Sequence, residues 1–109
     1  MASNDAFVLM YKIIAYIYQC MKDGKPAVRS HYSTDALGVP EDYWKYVIEQ
    51  LVSHGYIEGI TVTKTFSNTI IIPDDPKVTI EGIQFAKENS VIAKAKKFLI
   101  EMKAVIPFV

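Results

Sequence analysis

Pro40-Glu41-Asp42-Tyr43-Trp44-Lys45-Tyr46-Val47-Ile48-Glu49-Gln50-Leu51-Val52-Ser53-His54-Gly55-Tyr56-Ile57 contains a helix, its stop signal and the first residues of a strand. Trp44, Val47, Ile48, Leu51 and Val52 recur at offsets of three, four, seven and eight, which places them on one face of a helix. Pro40 suits the first helical position, because its fixed backbone angle is already helical and its missing N–H would have lacked a partner there. Glu41 and Asp42 then meet the positive end of the helix dipole. Gly55 reads as a left-handed stop, and Tyr56-Ile57 opens an extended stretch in which Ile60 and Val62 alternate with Thr61 and Thr63.

Upstream of this stretch, Tyr32 to Val39 reads as a short helix capped by Ser33 or Thr34 and stopped by Gly38. Before it, a helix of about 18 residues should start after Ser3, Asn4 or Asp5 and end where Gly24 and Pro26 punctuate the chain. Between Phe7 and Met21 only Lys12 and Gln19 are strongly polar, and seven residues is close to two helical turns, so both lie on one narrow stripe. A helix apolar on most other sides must sit between two layers or at a subunit contact. Cys20 falls in this run and reads as a small core hydrophobe.

Downstream, Ser67-Asn68 reads as a hairpin turn and Thr69 to Ile72 as the return strand, with Pro73-Asp74-Asp75-Pro76 breaking the sheet. Thr79 can cap a helix from Ile80 to Asn89, with Ile83 and Phe85 or Ala86 inward. Ser90 can cap a last helix. There Val91, Ile92, Ala95, Phe98, Leu99, Met102, Val105 and Ile106 repeat at helical spacing against a charged side of Lys94, Lys96, Lys97, Glu101 and Lys103. Phe98, Leu99, Met102 and Ile106 are therefore candidate contact residues, either for a homodimer or for packing on the first helix.

A chain of 109 residues has material for one core, and 50% apolar with 22% charged residues suits a folded domain. The net charge of zero is unevenly spread. Residues 1–29 carry +2, residues 30–86 carry −5, and residues 87–109 carry +3, with five lysines against Glu88 and Glu101. The first residues lack the basic region of a secretory signal, and Lys12 and Gln19 interrupt the longest apolar run, so a cytoplasmic protein without a membrane span is expected.

Helix, short helix, tight Gly turn, helix, Leu51-x-x-x-Gly55-Tyr56-Ile57 and hairpin: this order over residues 7–73 resembles the winged helix-turn-helix superfamily. The resemblance implies a mainly helical α+β fold with a β-hairpin wing, here followed by two C-terminal helices, and it makes residues 40–54 the recognition helix. The whole chain, 1–109, is then one domain, with the helix-turn-helix and wing in 1–73 and the C-terminal helices in 79–106. Val78-Thr79-Ile80-Glu81-Gly82-Ile83, Ala86-Lys87-Glu88-Asn89-Ser90 and the closing Val105-Ile106-Pro107 are similar to the YjcQ family. That likeness implies a small protein of bacteria and their phages, some in prophage regions, and brings no catalytic residues with it.

With Trp44 at the centre of the buried face, about 100° per residue puts Asp42, Lys45, Tyr46, Glu49 and Ser53 outward. Lys45 and Tyr46, together with Lys64 and Asn68 of the wing, are the candidate contacts to duplex DNA. Arg29, Lys25 and the C-terminal lysines are further sources of phosphate contacts. Yet Asp42 and Glu49 leave the outward face at −1, where a reader of DNA is ordinarily positive. A module that binds a protein partner instead of DNA stands as the alternative. His31 and His54 have no metal-ligand or triad spacing around them, and the scattered glycines form no phosphate loop, so no catalysis, metal or cofactor is expected.

Overall fold

The computed structural model describes residues 5–89. It is a mainly helical α+β structure: α1 (Ala6–Asp23), a 3-10 turn (Arg29–His31), α2 (Thr34–Leu37), α3 (Glu41–Ser53), an antiparallel pair β1 (Ile57–Lys64) and β2 (Thr69–Val78), and α4 (Ile80–Glu88). Among the described residues one helix follows the hairpin, where two are expected. The second, with Ser90, Phe98, Leu99, Met102 and Ile106, lies outside the described residues.

Local chemistry accounts for each helix end. Asp5 caps α1 by accepting the Phe7 amide at 2.8 Å, and at the other end Gly24, at φ 69°, lets the Lys25 amide return to the Cys20 carbonyl. Gly55, at φ 74°, does the same for α3, with the Tyr56 amide on the Leu51 carbonyl at 2.9 Å. Thr79 caps α4 by accepting from the Gly82 amide and also donates to the Gly55 carbonyl, which ties the two helix ends together. Pro40 sits one place earlier than expected. Its ψ of 154° is extended and its carbonyl accepts the first helical bond, from Trp44, so it is the cap residue and not the first helical one.

The core is one cluster. Leu9, Met10, Ile13, Ile14 and Ile17 of α1 meet Trp44, Val47, Ile48 and Leu51 of α3, and Ile57, Ile60, Ile71, Val78 and Phe85 close it from the hairpin and α4. Each such side chain, fully buried, contributes about 1.5–3 kcal/mol relative to exposure. α1 touches α3, α4 and β2, which explains why so much of its surface is apolar. Cys20 is half-buried beside the Tyr16 hydroxyl, at the margin of the core and not within it, because α1 turns that side toward the loop.

The sheet corrects a further expectation. Pro73-Asp74-Asp75-Pro76 does not break β2, which runs on to Val78. The register passes from Glu58↔Lys77 to Ile60↔Pro73, so Gly59 alone stands opposite Asp74, Asp75 and Pro76. This bulge takes Pro76 out of the ladder and begins at Pro73, so the residues that lack an N–H lie in it or at its edge. It also needs Gly59: at φ 84°, a Cβ there would come within 2.8 Å of the Asp75 carbonyl oxygen.

Among the glycines of the described residues Gly82 is the most closely approached. A Cβ on this buried helical residue would stand on the Tyr56 carbonyl oxygen and 2.8 Å from Val78 Cγ1. Tyr56 stacks on Phe85 with ring centres 4.6 Å apart and on His54 at 5.5 Å, and the Phe7 ring lies 6.0 Å from that of Phe85. The end of α3, the start of β1 and α4 are thereby locked against each other.

Candidate interaction groove between helix and hairpin

β1 and β2 rise beside the outward face of α3 and leave a groove between them, lined by Asp42, Lys45, Tyr46, Glu49, Lys64 and the loop residues Thr65, Ser67 and Asn68. The structure therefore brings together Lys45, Tyr46, Lys64 and Asn68. Helix phase and turn position were enough to place these four on facing elements.

Geometry then decides what the cations in the groove can do. Lys45 Nζ donates to Asn68 Oδ1 at 3.0 Å and pairs with Glu41 at 3.2 Å, and only 13% of the Lys45 side chain is exposed. Lys64 Nζ lies 2.7 Å from Glu49. Both lysines are thus held by carboxylates of α3, and with Glu41 beside the lining the local charge is −1. Screened surface pairs of this kind contribute little to stability, but a phosphate would have to displace both. Each pair also links α3 to its own first turn or to the hairpin, which fixes how the hairpin stands over the helix.

The hairpin loop is ordered by its own polar groups. The Thr65 amide and hydroxyl both donate to the Asn68 carbonyl, and the Asn68 carboxamide accepts the Thr69 amide at 2.8 Å. The turn is consequently four residues long, Thr65 to Asn68, and not centred on Ser67-Asn68. At its tip Phe66 is fully exposed. Sequence reading missed this residue, although an aromatic flanked by Lys64, Thr65, Ser67 and Asn68 was a visible signal.

Arg29 serves a different place. Its guanidinium stacks over the Trp44 ring at 5.1 Å and donates to the Ile71 carbonyl at 3.3 Å, bridging the 3-10 turn to the core and to β2. Trp44 Nε1 in turn donates to the buried Tyr32 carbonyl at 2.7 Å. Lys25 is exposed in the loop after α1, outside the groove lining.

Both histidines are occupied by local structure. His54 Nδ1 donates to the Gln50 carbonyl at 2.9 Å, closing the end of α3. His31 Nδ1 pairs with the Tyr16 hydroxyl at 3.0 Å, and that hydroxyl also accepts the Val28 amide, so the loop after α1 is fastened to α1. Desolvation raises the Tyr16 phenol above its ordinary value, the Val28 amide opposes this, and Cys20 adds to the rise. Burial likewise raises Tyr32, against the pull of Arg29. Among the described residues no group of His, Cys, Asp and Glu is placed to hold a metal ion, and no helix is long and apolar enough to cross a membrane.

Fold and groove together define a small, mainly helical α+β domain that presents a polar cleft between a helix and a hairpin. The chain belongs to the YjcQ family: the family model described as YjcQ protein matches residues 11–105. Nothing matches among curated proteins or among solved structures.

Proposed function

We propose that this chain is a winged helix-turn-helix module without catalytic activity, with α3 in the recognition-helix position and β1–β2 as the wing, whose groove contacts a protein partner and not duplex DNA. The observation that carries this reading is the closure of both groove lysines by Glu41 and Glu49. DNA affinity comes chiefly from cations that replace counterions on phosphates, and among the described residues both lysines that line this groove are already paired with carboxylates. What it does offer suits a protein surface: the half-exposed Tyr46, the exposed Phe66, and neutral hydrogen-bonding side chains at Thr65, Ser67 and Asn68. The phage or prophage setting implied by the family is compatible with such an accessory role.

Duplex DNA is the second reading, favoured by the facing of α3 and hairpin tip across one groove, the arrangement a winged reader uses. Titration with random-sequence duplex at about 50 mM salt separates the two. The wild-type chain should show no saturable binding tighter than about 10⁻⁴ M. A Glu41→Gln, Glu49→Gln double variant, which releases both lysines, should gain salt-sensitive binding while its stability changes by no more than about 0.5 kcal/mol per site. Salt-sensitive binding by the wild-type chain that Lys45→Ala with Lys64→Ala weakens would return the groove to DNA.

A further inference from the structure

Tyr46 lines two cavities: the α3–hairpin groove, and a pocket of about 360 Å³ where the start of α1, the second half of α3 and α4 come together. The buried Met10, Val47 and Phe85 form its base, so it reaches the core, and the half-exposed Phe7 and Tyr46 stand at its rim with Tyr56 and His54. We propose that this pocket receives a tryptophan or tyrosine side chain of the protein partner that lies in the groove. Its occupant thus rests on the reading of the groove as a protein-binding surface, for which it supplies the anchor.

Lining chemistry selects that occupant. Among the described residues no Lys, Arg, Asp or Glu lines the pocket, whereas Asp42, Lys45, Glu49 and Lys64 line the groove. A charged side chain would lose its water there without gaining a counter-charge, so the pocket takes an apolar group. Four rings, Phe7, Tyr46, Tyr56 and Phe85, favour a further ring, which they can meet edge-to-face or offset. Tyr56 already stacks on both Phe85 and His54, so part of this surface is held in place before a ligand arrives. One acceptor is fixed as well. His54 Nδ1 gives its hydrogen to the Gln50 carbonyl, which leaves Nε2 of the neutral imidazole as an acceptor on a ring that lines the pocket. An indole N–H or a phenol O–H can donate to it, and a phenylalanine ring cannot.

Size and position point to a side chain of a larger partner. The volume is near the lower end of the range for small-molecule sites, about 300–1,000 Å³. Because Tyr46 is shared, a segment that crosses its ring touches the groove and the pocket at once. An aromatic anchor seated in such a pocket, beside a polar surface that water reaches, is how a few residues come to carry most of the affinity of an interface.

Two probes applied to the full chain test the proposal. N-acetyltryptophanamide, a tryptophan side chain without a partner, should bind saturably with a Kd of about 1–10 mM, read as NMR shifts at Ala6, Phe7, Tyr46 and Tyr56. Ala6→Trp, which fills the pocket from its own wall, should abolish those shifts. If it disturbs the fold, Phe7→Ala, which removes part of the rim, should weaken binding at least about threefold. Peptides selected from a random displayed library on the wild-type chain should share a Trp or Tyr whose replacement by Ala lowers affinity at least about tenfold. The same loss should follow Ala6→Trp in the pocket and Ser67→Arg in the groove. N-acetyltryptophanamide that moves no pocket resonance overturns the proposal. So does peptide binding that Ser67→Arg weakens and Ala6→Trp leaves intact, a result that keeps the groove as a contact surface. Peptide binding weakened by Ala6→Trp but indifferent to Ser67→Arg means the reverse: the pocket keeps its ligand class and the reading of the groove falls.

Discussion

The inward face of α3 sets Trp44, Val47, Ile48 and Leu51 into the core at 2% exposure or less, while its outward face, one residue away at each step, holds Asp42, Lys45, Tyr46 and Glu49 around a polar groove. On the inward side, contacts are dry, and they include backbone: the end of α3 leads into Tyr56, whose carbonyl presses on Gly82. Outward, the contacts are ion pairs and hydrogen bonds among side chains that water can replace. The same helix therefore specifies the fold with one face and leaves the other chemically adjustable. Changes on the first should unfold the chain, and changes on the second should alter binding and little else.

Breaking the inward face gives the largest expected effect. Leu51→Ala should cost about 2–5 kcal/mol in denaturant unfolding, because Leu51 is fully buried in the core cluster that α3 shares with α1 and the hairpin. A loss under about 1 kcal/mol would show that the site collapses around the missing atoms and that the core is less exacting than the packing implies.

Gly82→Ala comes next and has an unusual sign. In a helix interior alanine is ordinarily favoured over glycine by about 1 kcal/mol, yet here the new methyl would stand on the Tyr56 carbonyl oxygen, which is backbone and cannot swing aside. Net destabilisation of about 1–3 kcal/mol is expected by thermal or urea denaturation. A stabilised variant would mean that α4 can shift away from Tyr56, and the contrast between a rigid inner and a yielding outer side would have to be redrawn.

Tyr32→Phe should have the smallest effect on stability. The Tyr32 ring is 1% exposed, and its hydroxyl is buried without a hydrogen-bond partner among the described residues, so removing it relieves an unsatisfied group. Neutral-pH stability should stay within about 0.5 kcal/mol of wild type or rise. The pH dependence has a definite sign. Tyr32 keeps its proton to higher pH when folded than when unfolded, so its contribution is fully present below pH about 10 and is lost as pH climbs through the folded value. The variant should lose stability less steeply on the alkaline side.

Much of the inward architecture was legible because its signals are local. Asp5, Gly24, Gly38, Gly55 and Thr79 act within a turn of where they sit, and the period of Trp44, Val47, Ile48 and Leu51 set the phase of α3. Pro73-Asp74-Asp75-Pro76 misled for the same reason: locally it reads as a break, and only the partner Gly59, fifteen residues and a hairpin away, makes it a bulge. In the groove, helix phase and turn position were sufficient to bring Lys45, Tyr46, Lys64 and Asn68 to facing elements. The pairs that neutralise it were harder. Glu41 with Lys45 is a helical i, i+4 pair, but Glu49 with Lys64 depends on how the hairpin leans over α3, which no spacing reveals.

Whether those carboxylates close the groove to phosphate is read directly by one titration: fluorescence anisotropy of a labelled duplex against the wild-type chain and the Glu41→Gln, Glu49→Gln variant over a range of salt. We expect a flat trace for the wild type and salt-dependent binding for the variant, with a log–log slope of about −2 for the two released lysines. Wild-type binding with a comparable slope, unchanged by the two substitutions, would contradict that closure.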